Sequence, residues 1–186
     1  MSHYFFAGKI PEETKLAMKG NMDELRKQFP FRRWVHHEDL HITLAFLGAA
    51  PEGKLEKACS LVGRALATTD AFPLAMNGLG TFGRKDSPRV FWASLSKSEQ
   101  LTKLRGSVFT ACEEAGFQLE TRPFSPHVTL ARNWEGEGPF IPGKLDEQPL
   151  NLGFMLEEVV LYRTNIGTTP KYEPIKRFRL KSLGPQ

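Results

Sequence analysis

The tetrapeptide His-x-Thr-Leu occurs twice, as His41-Ile42-Thr43-Leu44 and as His127-Val128-Thr129-Leu130. The flanks continue the echo, with Ala45-Phe46 after the first copy and Ala131-Arg132 after the second. The copies begin 86 residues apart, near half the length of the 186-residue chain, although the rest of the halves does not visibly repeat. Each copy lies in a short apolar run rich in β-branched residues. Leu40–Leu47 is closed by Gly48, and His127–Ala131 is entered through Pro126. Such runs read as strands. A strand turns residues i and i+2 to one face. His41 and Thr43 then point together while Ile42 and Leu44 point inward, and His127 and Thr129 do the same opposite Val128 and Leu130. Each copy offers one imidazole and one hydroxyl from a rigid support.

The remaining elements are mixed. Tyr4–Ile10 reads as a strand ended by Pro11, which opens a helix to Gln28. Proline suits a first helical turn, and Glu12 and Glu13 suit its positive end. Phe31–Val35 reads as a short strand. Leu55, Ala58, Cys59, Val62, Ala65 and Leu66 follow helical spacing, which predicts an amphipathic helix over Glu52–Leu66. Phe72–Phe82 and Arg89–Leu95 read as a hairpin joined through Gly-Arg-Lys-Asp-Ser-Pro. Leu101, Leu104, Val108, Cys112 and Ala115 stripe a third helix, Ser98–Ala115, which Gly116 can stop. Phe117–Glu120, Met155–Tyr162 and Tyr172–Leu180 complete the expected strands. Strands arriving singly and in pairs between three helices predict an α+β fold of mostly antiparallel sheet. No glycine-rich phosphate loop follows a strand, so nucleotide-triphosphate chemistry has no support.

Composition narrows the class. Hydrophobic residues make up 40% and charged residues 25%, which is ordinary globular chemistry rather than disorder. The net charge is +4 and the pI about 9.1. A mild cationic excess fits an anionic substrate, but charge alone favours the simpler reading of a slightly basic soluble protein. No basic block suggests a protein that coats polyanions. Cys59 and Cys112 fall on apolar helix stripes and are expected to be buried thiols. The short apolar N-terminal run lacks a basic leader, and no stretch approaches ~20 apolar residues. A cytoplasmic setting is therefore expected.

Two histidines facing one phosphate form a complete acid–base pair. Histidine titrates near neutrality, so one ring can be neutral while the other is protonated. The neutral ring takes a proton from attacking water, and the imidazolium gives one to the leaving oxygen. Threonine hydroxyls can donate to the non-bridging oxygens. Such a route needs neither metal nor cofactor. Two other readings compete: coincidental half-buried strands, and a metal site built on paired histidines. Chance recurrence of the tetrapeptide among five histidines is rare. No carboxylate or third histidine recurs with the motif, which weakens the metal reading.

At these residues the sequence resembles the two-histidine phosphoesterase superfamily, defined by paired His-x-Thr-x motifs. It looks most like the bacterial and archaeal RNA 2',3'-cyclic phosphodiesterase branch, also called 2'-5' RNA ligase. Phe5-Phe6-Ala7, the run His41–Gly48, Arg89-Val90-Phe91-Trp92-Ala93, the segment Arg122–Arg132 and Tyr172-Glu173-Pro174 carry the similarity over nearly the whole chain. The resemblance implies one bilobal α+β domain over residues 1–186, with pseudo-symmetric lobes around a central groove and one motif from each. It implies opening of 2',3'-cyclic phosphate ends to 2'-phosphate, with His41 as proton donor and His127 as proton acceptor. The near-symmetric motifs do not themselves fix that order. Some relatives join RNA ends through a 2'-5' bond, the reverse of the same chemistry. The expected partners are RNA ends or cyclic nucleotides, with no membrane and no obligate protein partner. Two further functions stay open: hydrolysis of a small cyclic nucleotide, such as an ADP-ribose cyclic phosphate, and non-catalytic binding of RNA ends.

Supporting residues are less well marked. Arg132 lies three residues past Thr129, so a regular strand would aim it away from the phosphate. A bend is needed to bring its guanidinium to bear. Phe124 is a candidate for stacking on a base, with a core position as the alternative. Trp34 and Trp134 are weaker candidates of the same kind. Arg84, Lys85 and Arg89 at the hairpin could attract RNA or simply be solvated. His36 and His37 read as turn or surface residues, and His3 has no assigned role.

Overall fold

Tyr4–Lys9 forms strand β1, and Pro11 hands the chain to helix α1, Glu12–Gln28. These features belong to a computed structural model that describes residues 2–182. Glu12 and Glu13 in the first turn of α1, and Arg26 and Lys27 in the last, complement its dipole. Thr14, Lys15, Met18, Met22 and Leu25 form its buried stripe. Gly20 falls off that stripe, and a side chain there would meet nothing within 4 Å, so the helix passes through it.

β2 (Phe31–Trp34), a 3-10 turn (His37–Asp39) and β3 (His41–Gly48) follow. Then come α2 (Glu52–Leu66), β4 (Phe72–Gly83), β5 (Pro88–Leu95) and α3 (Glu99–Glu114). The chain ends with β6 (His127–Trp134), a 3-10 segment (Pro142–Glu147), β7 (Leu152–Leu156), β8 (Glu158–Thr164) and β9 (Tyr172–Arg179). Among the described residues the strands form two antiparallel sheets, in the orders β3-β1-β8-β9 and β2-β6-β5-β4-β7. This is the expected α+β architecture. Each sheet holds one His-x-Thr strand, β3 in the first and β6 in the second.

One apolar core is shared by both sheets and the helices. Phe6, Ile42 and Val159 come from the first sheet, and Phe91, Val128 and Leu156 from the second. α2 packs on α3, and their inward stripes bury Cys59 and Cys112 as free thiols. Strand alternation sends Phe5 and Ala7 to the opposite face of β1, where they meet Val160 and Tyr162 in a second, smaller cluster. That cluster forms one side of the groove described below.

Two expectations fail locally. Met155–Tyr162 is not one strand: the chain leaves β7 at Leu156 and enters β8 at Glu158. β7 pairs with β4 in one sheet and β8 with β1 in the other, so the chain changes sheets at Glu157. Phe117–Glu120 is not a strand either. Phe117 and Leu119 pack on the core as anchors of an irregular connection.

Candidate active site

β3 and β6 belong to different sheets but run alongside one another, and the two motifs meet between them. Both strands carry the same irregularity. In the β1–β3 ladder, Ala7 faces Thr43 and Phe6 faces Ala45, which leaves Leu44 as an extra residue. In the β5–β6 ladder, Trp92 faces Thr129 and Phe91 faces Ala131, which leaves Leu130 extra. Each bulge buries two successive residues, Leu44-Ala45 and Leu130-Ala131. The alternation is thereby reset. The residue three past each threonine returns to the threonine's side of the strand: Phe46 in one copy and Arg132 in the other. This is the bend that Arg132 required. His41, Thr43, Phe46, His127, Thr129 and Arg132 all line one cavity of about 200 Å³.

The two histidines are tethered alike. Nδ1 of His41 lies 2.7 Å from the Asp39 carbonyl oxygen, and Nδ1 of His127 lies 2.8 Å from that of Ser125. A carbonyl oxygen only accepts, so each Nδ1 donates and each neutral ring keeps its lone pair on Nε2. Nε2 of His41 is 3.0 Å from the Thr43 hydroxyl oxygen.

Apolar surroundings set the electrostatics. The His41 ring sits 4.9 Å from Phe5, 5.1 Å from Tyr172 and 6.3 Å from Tyr162, between ring centroids. Burial pushes its pKa down to about 4, against the opposing pull of the Asp39 carbonyl and carboxylate. Lys15 and His127 depress it further, so the charge of the second histidine is felt at the first across the groove. His127 lies 5.0 Å from Phe82 and 6.3 Å from Trp92. Burial lowers its pKa too, opposed by the Ser125 carbonyl and reinforced by Arg132. Glycine at position 80 is required for this wall, because a Cβ there would meet the Trp92 ring at 2.2 Å.

Asp39 ties this site to a distant part of the chain. Its carboxylate is buried and accepts the backbone N–H groups of Lys171 and Tyr172 at 3.0 and 3.1 Å. The start of β9 is thus fastened beside the first motif, with Lys171 and Tyr172 lining the same cavity. Lys15 on α1 supports the turn from behind, donating to the Glu38 carbonyl at 2.9 Å.

The other sequence candidates lie elsewhere. Phe124 is partly buried against the core, its ring 5.3 Å from the Arg105 guanidinium, and does not line the groove. Trp134 packs on Phe31 and Phe140 and donates to the Gly138 carbonyl. Arg84 pairs with Asp86 in the exposed hairpin turn, and neither Lys85 nor Arg89 lines the groove. Trp34, His36 and His37 line a neighbouring cavity. His3 stands edge-on to Phe46 at 5.8 Å. Phe46 occupies the position of Arg132 in the repeated motif, a correspondence that marks it as a groove residue once the bulges are seen. Tyr172, marked in the sequence only by the resemblance, and Lys171 join the groove through a contact spanning more than 130 residues, which no local pattern shows.

Among the described residues no group of three or more His, Cys, Asp or Glu side chains is arranged to hold a metal ion. No helix among the described residues is long and apolar enough to cross a membrane.

Comparison with known proteins adds a family context. A family model for the 2'-5' RNA ligase superfamily matches residues 13–168. The RNA 2',3'-cyclic phosphodiesterase of Geobacillus stearothermophilus is 46% identical over 96% of this chain, which spans 57% of that relative's length. The RNA 2',3'-cyclic phosphodiesterase of Bacillus subtilis is 35% identical over 96% of both chains. The crystal structure of Escherichia coli LigT complexed with 3'-AMP superposes with a TM-score of 0.78 at 28% identity, covering 97% of this chain and 98% of the other.

Proposed function

The chain belongs to the 2'-5' RNA ligase superfamily, and we propose that it is a hydrolase that opens 2',3'-cyclic phosphate ends of RNA to 2'-phosphates. One observation carries this reading: two histidines, tethered alike through Nδ1, share one groove with two threonines and an arginine. His127 takes a proton from water as the oxygen attacks phosphorus. His41 gives its Nε2 proton to the departing 3'-oxygen. The proton gained at one ring balances the proton lost at the other. Thr43 and Thr129 donate to non-bridging oxygens, and the Arg132 guanidinium offsets the charge they carry.

The groove's electrostatics support a substrate-dependent acid. Burial favours the neutral form of both rings. An anionic phosphate set against Nε2 reverses that preference for one ring, because an opposite charge favours the imidazolium. Phe46, 56% exposed, presents a flat apolar surface suited to a terminal base. The acid–base exchange is complete within the two rings and uses no metal. The described residues act as one bilobal unit, since both sheets contribute to the same core. A cytoplasmic setting suits the two free thiols.

The test is incubation of an oligoribonucleotide ending in a 2',3'-cyclic phosphate, in the presence of EDTA. The product isomer is read by phosphorus NMR. A 2'-phosphate is expected. A 3'-phosphate, or an unchanged cyclic end, overturns the reading.

A further inference from the structure

Beside the groove lies a larger cavity of about 500 Å³, and the two share Val35, Arg132 and Lys171 as a common wall. Five cations line it. Lys19 and Arg26 come from α1, Arg33 from β2, Arg132 from β6, and Lys171 from the segment before β9. Among the described residues none of the five lies within 4.0 Å of a carboxylate oxygen in an ion pair. Two carboxylates share the cavity. That of Asp39 is committed to the backbone of Lys171 and Tyr172, and Asp23 is exposed on α1.

The β2–β6 ladder sharpens the point. Arg33 and Arg132 are direct cross-strand partners. Like charges placed opposite one another destabilise a sheet. The neighbouring Arg32 is relieved by Glu135 at 3.6 Å, but nothing comparable relieves Arg33. Unpaired guanidiniums held side by side match an anion with several acceptor oxygens. Trp34 adds an aromatic surface to the same cavity.

We propose that this cavity binds the phosphodiester on the 5' side of the terminal nucleotide, in an RNA strand whose cyclic phosphate occupies the groove. The proposal rests on the hydrolase reading above and narrows it. Arg132 and Lys171 stand at the junction of the two cavities, so successive phosphates of one strand fall on either side of them. The preferred substrate is then a polynucleotide end. A mononucleoside cyclic phosphate fills only the groove.

The test compares adenosine 2',3'-cyclic phosphate with the dinucleotide that carries one internal phosphodiester and the same cyclic end. The native protein should favour the dinucleotide in kcat/KM by about tenfold or more, through KM, the scale of one or two charge-assisted hydrogen bonds. The double variant Arg26→Gln, Arg33→Gln changes two exposed side chains and should lose that preference. Its turnover of the mononucleoside should stay within about twofold. Equal use of both substrates by the native protein, or an equal loss on both in the variant, overturns the proposal. Binding separates failure of the cavity from failure of the hydrolase. Fluorescence polarisation with the labelled dinucleotide 2'-phosphate should show weaker binding in the double variant and a shallower dependence on salt. If neither cyclic substrate is turned over, the hydrolase reading falls. Unchanged affinity and salt slope in the variant overturn the cavity.

Discussion

The carbonyl oxygen of Asp39 lies 2.7 Å from Nδ1 of His41, while the carboxylate of the same residue accepts two backbone N–H groups from Lys171 and Tyr172. One residue therefore orients the first histidine and fastens the segment carrying Tyr172, which stands edge-on to that histidine. In the second motif Ser125 supplies the equivalent carbonyl without the carboxylate.

Asp39→Ala should therefore act on both stability and catalysis. It leaves two backbone donors unmatched, at a cost of roughly 2–3 kcal/mol in urea unfolding at pH 7. kcat should fall with it, because the Tyr172 segment no longer holds the His41 ring. Asp39→Asn keeps one good acceptor and should recover part of both losses. Unfolding that is unaltered in Asp39→Ala would contradict the clamp.

Stability should depend on pH through His41. Its pKa is about 4 in the folded protein against an ordinary 6.5. The folded state thus binds this proton less readily than the unfolded chain. The resulting stability is complete above pH 6.5 and is lost as pH falls toward 4. The full shift corresponds to roughly 3 kcal/mol. Urea unfolding at pH 7 and pH 4.5 should show this loss in the native protein and a smaller one in His41→Asn. Equal losses in both would remove His41 as the source.

Phe46 and Arg132 occupy equivalent places after the two bulges, so their substitutions should separate binding from charge stabilisation. Phe46→Ala should raise KM, at roughly 1–3 kcal/mol for a lost stacking surface, with little change in kcat. Arg132→Gln should lower kcat/KM by a similar amount, with a share of the loss in kcat. Steady-state kinetics on a cyclic-phosphate-ended oligonucleotide reads both. A purely kcat effect for Phe46→Ala would deny it a stacking role.

Cys59 and Cys112 should resist thiol reagents in the native protein. Both are buried, and burial pushes their pKa up, to about 12 for Cys112. Thiolate is the reactive form, so labelling by a bulky reagent should be slow until denaturant is added. Rapid stoichiometric labelling of both under native conditions would contradict their packing between α2 and α3.

Features governed by local periodicity were legible before the structure. The helical stripes placed Cys59 and Cys112 inside, and period-two alternation set His41 with Thr43 and His127 with Thr129 on shared faces. What escaped depends on tertiary pairing. The bulges at Leu44 and Leu130 are one-residue mismatches against β1 and β5, and an apolar residue pair reads the same with or without a bulge. In a regular strand Phe46, three residues past Thr43, falls on the opposite face, so its spacing does not mark it as a groove residue. Met155–Tyr162 reads as one stretch because apolar residues flank Glu157-Glu158 on both sides, and only the pairing partners reveal the change of sheet there. The role of Asp39 depends on its link to Lys171 and Tyr172, which no local pattern shows.

The most direct test of the two-histidine account is turnover by His41→Ala, His127→Ala and the double variant, on an RNA end carrying a 2',3'-cyclic phosphate. Each single variant should lose on the order of 10²-fold or more in kcat, since each lacks one proton-transfer partner. The double variant should be little worse than either, because groups acting as a unit are non-additive. A substrate with a strongly acidic leaving group should rescue His41→Ala selectively, as expected of the proton donor. Rescue of His127→Ala instead would exchange the two roles. Near-native turnover by either single variant on the RNA end would contradict the account itself.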